Sequence, residues 1–295
     1  MRNFLKKQKS FSLAFLLVFL IACNYCVFAD GRVVIITDGL SHEINNDVYK
    51  DKIVKLDYEV DNSPGTHIDV LDGAVLDTLY AWSNSSFTMS SGSAMNLAGF
   101  QDSTISLEGG VAEFMGAYGN SIMKMSGGSA KHITVNGTSF FSMTGGSTGY
   151  TGLDFRATEY SNVNISGGIF GGRITVLNDS IATVSGGSMP ALRTRHNGII
   201  RLEGTGFEVD GVPLENGDRL SDFGTLVELR SNGDIRDYYK GQISGYLADG
   251  SALDIPYYIF NKGFYEGTGD IIIVPEPTSL LLLGLGGIML RRKIR

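Results

Sequence analysis

Residues 87–128, "FTMSSGSAMNLAGFQDSTISLEGGVAEFMGAYGNSIMKMSGG", repeat one short unit, and that unit decides the fold. Its fragments "MSSGS" and "LEGGV" recur downstream as "MSGGS", "MTGGS", "ISGGI", "VSGGS" and "LEGTG". The anchor residues of these corners are Ser91, Gly109, Gly127, Gly145, Gly167, Gly186 and Gly204, spaced by 18, 18, 18, 22, 19 and 18 residues. A weaker copy, "IDVLDG", places Asp72 another 19 residues back. Repetition at a fixed period is the mark of stacked architectures.

Aligning the copies on these anchors separates interior from surface. Two positions before each anchor stand Met89, Leu107, Met125, Met143, Ile165, Val184 and Leu202. Four before stand Phe87, Ile105, Met123, Phe141, Val163, Ala182 and Ile200, and twelve before stand Leu79, Leu97, Met115, Ile133, Phe155, Ile174 and Leu192. Ten before, the residues are mostly small: Ala81, Gly99, Ala117, Val135, Ala157, Val176 and Thr194. A separation of two between paired columns is strand periodicity, with alternate side chains on opposite faces. Each unit therefore holds two short strands, and the residues after the anchor make a third, shorter side. Asn84-Ser85, Asp102-Ser103, Asn120-Ser121 and Asp179-Ser180 mark the turn between strands, where Asx side chains bond local backbone. The Gly-Gly corner tolerates positive φ.

One such unit cannot bury its apolar positions, but stacked copies share a continuous interior. The expected fold is all-β: a single-stranded parallel β-helix, or β-solenoid, of coils with a period of about 18 residues, right-handed and flanked by β-rich caps. At about 4.8 Å per coil, eight copies make a rod of roughly 35–40 Å. An antiparallel sandwich, with strands every 8–12 residues or so, does not produce matching columns at this period. The four extra residues between Gly145 and Gly167, within "YTGLDFRATEY", should bulge from one coil.

The boundaries follow: 1–29 a signal peptide, 30–66 an N-terminal cap, 67–206 the repeats, 207–273 a β-rich C-terminal cap, and 274–295 a separate tail. The cap segments contain "RVVIIT", "DKIVKLDYEVDNSPG", "EVDGVPL", "TLVELR" and "DIPYYIF", all strand-like. Capping protects the sheet edges that an open solenoid end exposes. The N-terminus has a basic "MRNFLKKQKS" and an apolar "FSLAFLLVFLIA", the form of a secretory leader for the Sec machinery. Cleavage is expected after Ala29; the alternative is a lipobox ending at Cys23. Cutting after Ala29 removes both cysteines, Cys23 and Cys26, so disulfides do not hold the mature fold.

The termini also mask the charge of the middle. Residues 1–9 and 291–295 hold eight of the 24 basic residues, and Glu276 is one of the 31 acids, which leaves −14 on residues 30–274. So acidic a surface repels phosphate backbones, which disfavours nucleic acid as a partner.

No convincing catalytic or cofactor motif emerges. His42, His67, His132 and His196 have no metal-ligand spacing, and there is no G-x-S-x-G elbow or Asp-rich calcium nonapeptide. The nearest candidate for polysaccharide cleavage is Arg193, Arg195 and Arg201 with Asp154, Arg156 and Glu159, which otherwise read as ordinary outward-facing charges. Trp82, Tyr238, Tyr239, Tyr246, Tyr257 and Tyr258 are candidates for stacking on sugar rings, or else packing residues. No catalytic, cofactor or metal residues are assigned.

The tail "VPEPTSLLLLGLGGIMLRRKIR" ends the chain. Thr278 to Leu290 as a helix spans roughly 20 Å, against a bilayer core of about 30 Å. It suits transient insertion, with its basic end on the cytoplasmic side. Val274-Pro275-Glu276-Pro277, the apolar segment and the final basic run with Arg291 and Arg292 resemble a PEP-CTERM sorting signal. The resemblance implies an exosortase, a membrane enzyme that recognises Pro275-Glu276-Pro277 and removes the tail. It also implies a Gram-negative bacterium that makes exopolysaccharide. The Ser-Gly-Gly repeats resemble, more loosely, those of autotransporter-like solenoids.

The expected protein is thus exported and exosortase-processed, placed at the cell surface or in the extracellular matrix. Its expected role is structural or adhesive, with exopolysaccharide or other surface proteins as partners. The alternative is a polysaccharide lyase or hydrolase, or a carbohydrate-binding β-helix.

Overall fold

Parallel pairing between successive units dominates the computed structural model, which describes residues 26–29, 32–58, 65–149, 155–228, 230–231, 234–235, 237–261 and 266–275. One ladder runs through Val33–Ile36, Ile53–Leu56, Val75–Ala81, Ser93–Gly99, Val111–Ala117, Ser129–Val135, Phe155–Ala157, Ile174–Leu177 and Leu192–Arg195. Its successive offsets are 20, 25, 18, 18, 18, 22, 19 and 18 residues. A second ladder runs from Ser41–Ile44 through His67–Val70, Ser86–Met89, Thr104–Leu107, Ile122–Met125, Phe140–Met143, Asn162–Phe170 and Ile181–Ser188 to Ile199–Val209. A short third side pairs Val75-Leu76 with Ser93-Ala94, Val111-Ala112, Ser129-Ala130 and Ser147-Thr148. The chain is a parallel β-solenoid of about eight turns with coils of roughly 19 residues.

Every residue in the four aligned columns points into the shared interior. Leu79, Ile105, Met123, Phe141, Ile165, Val184 and Leu202 are fully enclosed. Burying side chains of this size contributes about 1.5–3 kcal/mol each, and no coil achieves that without its neighbours. The small column Ala81–Gly99–Ala117 follows from tight space: a Cβ on Gly99 would stand 2.7 Å from the Ser103 hydroxyl.

The corners differ from the expectation in two respects. At the turn between the long sides, the serines point inward: Ser85, Ser103, Ser121, Ser139 and Ser180 are all buried. Ser85 donates to Trp82 O at 2.6 Å and Ser139 to Asn136 O at 2.6 Å, closing the turn from within. Asp102, Asn120 and Asp179 bond across coils rather than to local backbone. Asn120 donates to Asp102 at 3.2 Å, Asn197 donates to Asp179 at 2.9 Å, and Thr138 bonds Asn120. At the Gly-Gly corner only the second glycine has positive φ, as at Gly110 (77°) and Gly128 (67°). The first is held to glycine by the coil beneath: a Cβ on Gly109 or Gly127 would lie 2.0 Å from the carbonyl oxygen of Ser90 or Glu108.

Parallel pairing continues past the repetitive segment at both ends. Val33–Ile36 and Ile53–Leu56 already form coils, and Cys26–Ala29 adds an antiparallel strand to the free edge of Val33–Ile36. Ala29, the expected cleavage residue, ends that strand. At the other end, Ile199–Val209 turns into an antiparallel meander with Tyr238–Leu247, which also pairs with Thr225–Val227 and Ala252–Phe260. The chain then re-enters the ladders: residues 257–260 lie parallel on Leu192–Arg195, and Asp270–Val274 on residues 199–203. The inserted residues 150–154 fall outside the described residues; the insertion lies between Ser147–Thr148 and Phe155–Ala157, both of which pair with Ser129–Val135.

Candidate functional site

Three places on the rod hold residues that the sequence singles out, and a fourth was not foreseen. The unforeseen one is a groove of about 330 Å³ on the outer face of the first ladder. Side chains alternate there, so Leu97 and Met115 fill the interior while Asn96, Ala98, Phe114 and Gly116 face outward. Ala98 and Gly116 form a low floor, bounded along the rod by Tyr80 and Thr134. One wall is an aromatic column in which Trp82 stacks on Phe100 (4.6 Å, 12°) and Phe100 on Tyr118 (5.1 Å, 13°). Tyr80 meets both Trp82 and Phe100 edge-on. The opposite wall is Phe114 stacked on His132 at 4.7 Å, with Asn96 beside it, donating to Thr78 Oγ1 at 3.2 Å.

Gly116 explains the shape. A Cβ there would lie 2.5 Å from the Tyr118 ring, so only glycine lets that ring lean over the floor. Burial pushes the Tyr118 phenol above its ordinary range, and the charge of the nearby Tyr80 phenol adds to the effect. No lining residue carries a carboxylate or an ammonium group. Charges flank the groove: Lys55 and Arg156 continue its outward column in register with Tyr80 and Thr134, Lys55 Nζ lying 5.7 Å from the Trp82 ring, and Lys131 pairs with Glu113 on the adjoining corner. Of the two walls, the sequence alone singles out only Trp82 and His132. Tyr80, Phe100, Phe114 and Tyr118 follow the same 18-residue register, and that recurrence of outward aromatics was the available signal.

The aromatics of the C-terminal region are largely cap packing. Tyr257 is fully enclosed and donates to Leu220 O at 3.0 Å, and its burial pushes the phenol upward. Tyr238 stacks on Phe260 at 4.7 Å, and Tyr246 is exposed.

The charged residues considered for polysaccharide cleavage are spread over different sides. Arg156 and Arg193 share one outward column on the first ladder, with Thr175 between them in register. Arg193 is nearly buried and donates to Thr175 Oγ1 at 3.2 Å. The Arg195 guanidinium lies 5.3 Å from the Phe260 ring, and Glu159 occupies a left-handed turn. Arg201 belongs to the second ladder, and Asp154 falls outside the described residues. His42 bonds Asp38 at 2.9 Å, while His67 bridges Ser86 (2.7 Å) and Asp69 (3.0 Å). Among the described residues no cluster of three or more His, Cys, Asp or Glu side chains is placed to hold a metal.

The tail joins the rod without a spacer. Val274 is the last residue of Asp270–Val274 and pairs in register with Glu203. The start of that strand is pinned by buried Asp270, which accepts from Arg219 Nε (3.1 Å) and the Ser221 amide (3.1 Å) and bonds the Ser221 hydroxyl. Pro275 then borders a cleft of about 500 Å³ lined by Gly204–Phe207 and Leu214–Asn216. Glu276, Pro277, the apolar segment, Arg291 and Arg292 lie outside the described residues. Among the described residues no helix is long and apolar enough to cross a membrane.

Fold and tail together define a β-solenoid whose last strand runs straight into a sorting signal. Residues 274–293 match the PEP-CTERM protein-sorting motif. That motif marks the chain as an exosortase-targeted exported protein, destined for the surface of a Gram-negative bacterium. No curated protein and no solved structure matches the chain.

Proposed function

We propose that the mature protein is a non-catalytic structural or adhesive rod of the cell envelope or exopolysaccharide matrix. In this account the chain is exported by Sec, cut after Ala29, inserted transiently through its C-terminal segment, and released from that segment by an exosortase. The observation that carries the proposal is the direct join at Val274, where a rigid ladder meets the sorting motif. Such a join suits a passive body delivered whole to the surface. An acidic exterior, −14 over residues 30–274, adds solubility outside the cell.

The test is protease shaving of intact producing cells, paired with attachment and cell-aggregation assays on a deletion strain. Loss of the protein from shaved cells and weakened cohesion in the deletion strain are the expected results. Sustained release of reducing ends or unsaturated products from a glycan panel would overturn the non-catalytic role. Unchanged cohesion would overturn the structural one.

A further inference from the structure

We propose that the groove between the Trp82–Phe100–Tyr118 column and the Phe114–His132 pair binds a neutral polysaccharide, seating one or two sugar rings between the two aromatic walls. The inference rests on the surface-rod function above and supplies its ligand.

Concavity is built into the repeat register. Outward positions along the rod read Tyr80, Ala98, Gly116 and Thr134, so two small residues lie between two larger ones. Aromatic side chains on adjacent coils raise both walls. The resulting volume of about 330 Å³ lies at the small end of ligand sites. Phe114 and His132 stand on strands paired within the ladder, and the amides of Trp82, Phe100 and Tyr118, one residue past the strand ends, donate to Leu56 O, Ala81 O and Gly99 O of the preceding coil, so the site is preorganised and loses little entropy on binding.

Chemistry then selects the occupant. Sugar rings present apolar C–H faces alternating with hydroxyls. The groove matches them with aromatic carbon from Phe100, Phe114 and Tyr118, and with polar groups from Asn96, His132, Thr134 and two phenols. The lining holds no carboxylate or ammonium group, and although Lys55 and Arg156 continue the outward column beyond Tyr80 and Thr134, the body of −14 disfavours uronates, phosphates and nucleic acid. An extended peptide is disfavoured because residues 78–81, 96–99, 114–117 and 132–135 pair in register along the ladder, leaving no edge to which a strand could add. Phe114, 46% exposed, offers apolar ring surface at the groove.

The experiment uses the processed protein from the producing cells in native affinity electrophoresis. Probes are hydroxyethyl cellulose, xyloglucan, laminarin and dextran as neutral polymers, alginate and polygalacturonate as acidic ones, and a phenyl matrix as an apolar control. At least one neutral polymer should retard the protein, and the acidic polymers should not. Asn96→Ala with Phe114→Ala should weaken that retardation about tenfold or more, as expected for losing a hydrogen bond and an aromatic contact. Tyr160→Ala, an exposed aromatic elsewhere, should leave it intact. Urea melts of both variants separate lost binding from lost folding. The proposal is overturned if no neutral polymer retards the protein, or if retardation survives in the folded Asn96/Phe114 variant. Stronger retention by alginate, or by the phenyl matrix alone, overturns it as well. The surface-rod function would stand in each case, because shaving and cohesion read it separately.

Discussion

Gly127→Ala tests how tightly the coils are stacked. Gly127 does not have positive φ, so alanine meets no backbone penalty there. The obstacle is the coil beneath: the new Cβ would lie 2.0 Å from Glu108 O and 3.0 Å from Glu108 C. Relief demands a separation of about 1 Å at the corner. That movement stretches the Ser126 N–Leu107 O bond (3.0 Å) and the Ser129 N–Gly110 O bond (2.9 Å), and loosens buried Met125. Two hydrogen bonds at about 1 kcal/mol each, with part of a side chain's packing, give a loss of about 3 kcal/mol. Urea unfolding followed by circular dichroism measures it, with Ser126→Ala as the adjacent exposed control at about 0.5 kcal/mol or less. A Gly127→Ala protein as stable as the control would refute close coil stacking at this corner.

Neighbouring phenylalanines should respond oppositely: Phe141→Ala, fully buried, should cost about 3–5 kcal/mol. Phe140→Ala, 38% exposed on the outer face, should cost about 0.5 kcal/mol; equal losses in the same melts would contradict the alternation. Partial burial alone would raise the Asp249 carboxyl, but hydrogen bonds from Ser251 and from the Gly187 amide (2.9 Å) hold it below its ordinary 3.8. A depressed folded-state value stabilises above 3.8 and is lost as pH falls through the folded value, so exchange of the Gly187 amide should rise in that range. Asp249→Asn should abolish the pH dependence; a profile identical to wild type would dismiss the tie. Because Val274 is still paired with Glu203, a Gly-Ser-Gly-Ser insertion after Val274 should speed tail removal, read by pulse-chase and immunoblot. Slower or unchanged removal would show that the paired strand end does not hinder the processing enzyme.

The interior was legible because its residue types are restricted. In four columns, at positions such as Leu79, Ala81, Phe87 and Met89, only apolar or small side chains fit between coils, so the period survived in the sequence. The end coils were less legible. Val34 lies in register with Val54, and Val54 with Leu79, but their offsets are 20 and 25 residues. Longer connections hide the same geometry by shifting the period. Residues 257–260 rejoin the ladder only after the antiparallel meander, a detour no periodicity reveals. Ser-Gly-Gly was read correctly as a corner, yet its first glycine answers to a neighbouring carbonyl rather than to φ, and that contact exists only once coils stack. The groove was missed for a related reason. Trp82 alone is ambiguous, whereas Trp82, Phe100 and Tyr118 become a wall only when the coils place them in one column.

Mass spectrometry of both termini of the mature protein, recovered from fractionated cells, tests the central claim most directly. The account predicts an N-terminus at Asp30 and a C-terminus within Pro275–Pro277, in protein from the surface or medium. A C-terminus still ending in Arg295 would contradict exosortase processing and leave the tail in place on the rod.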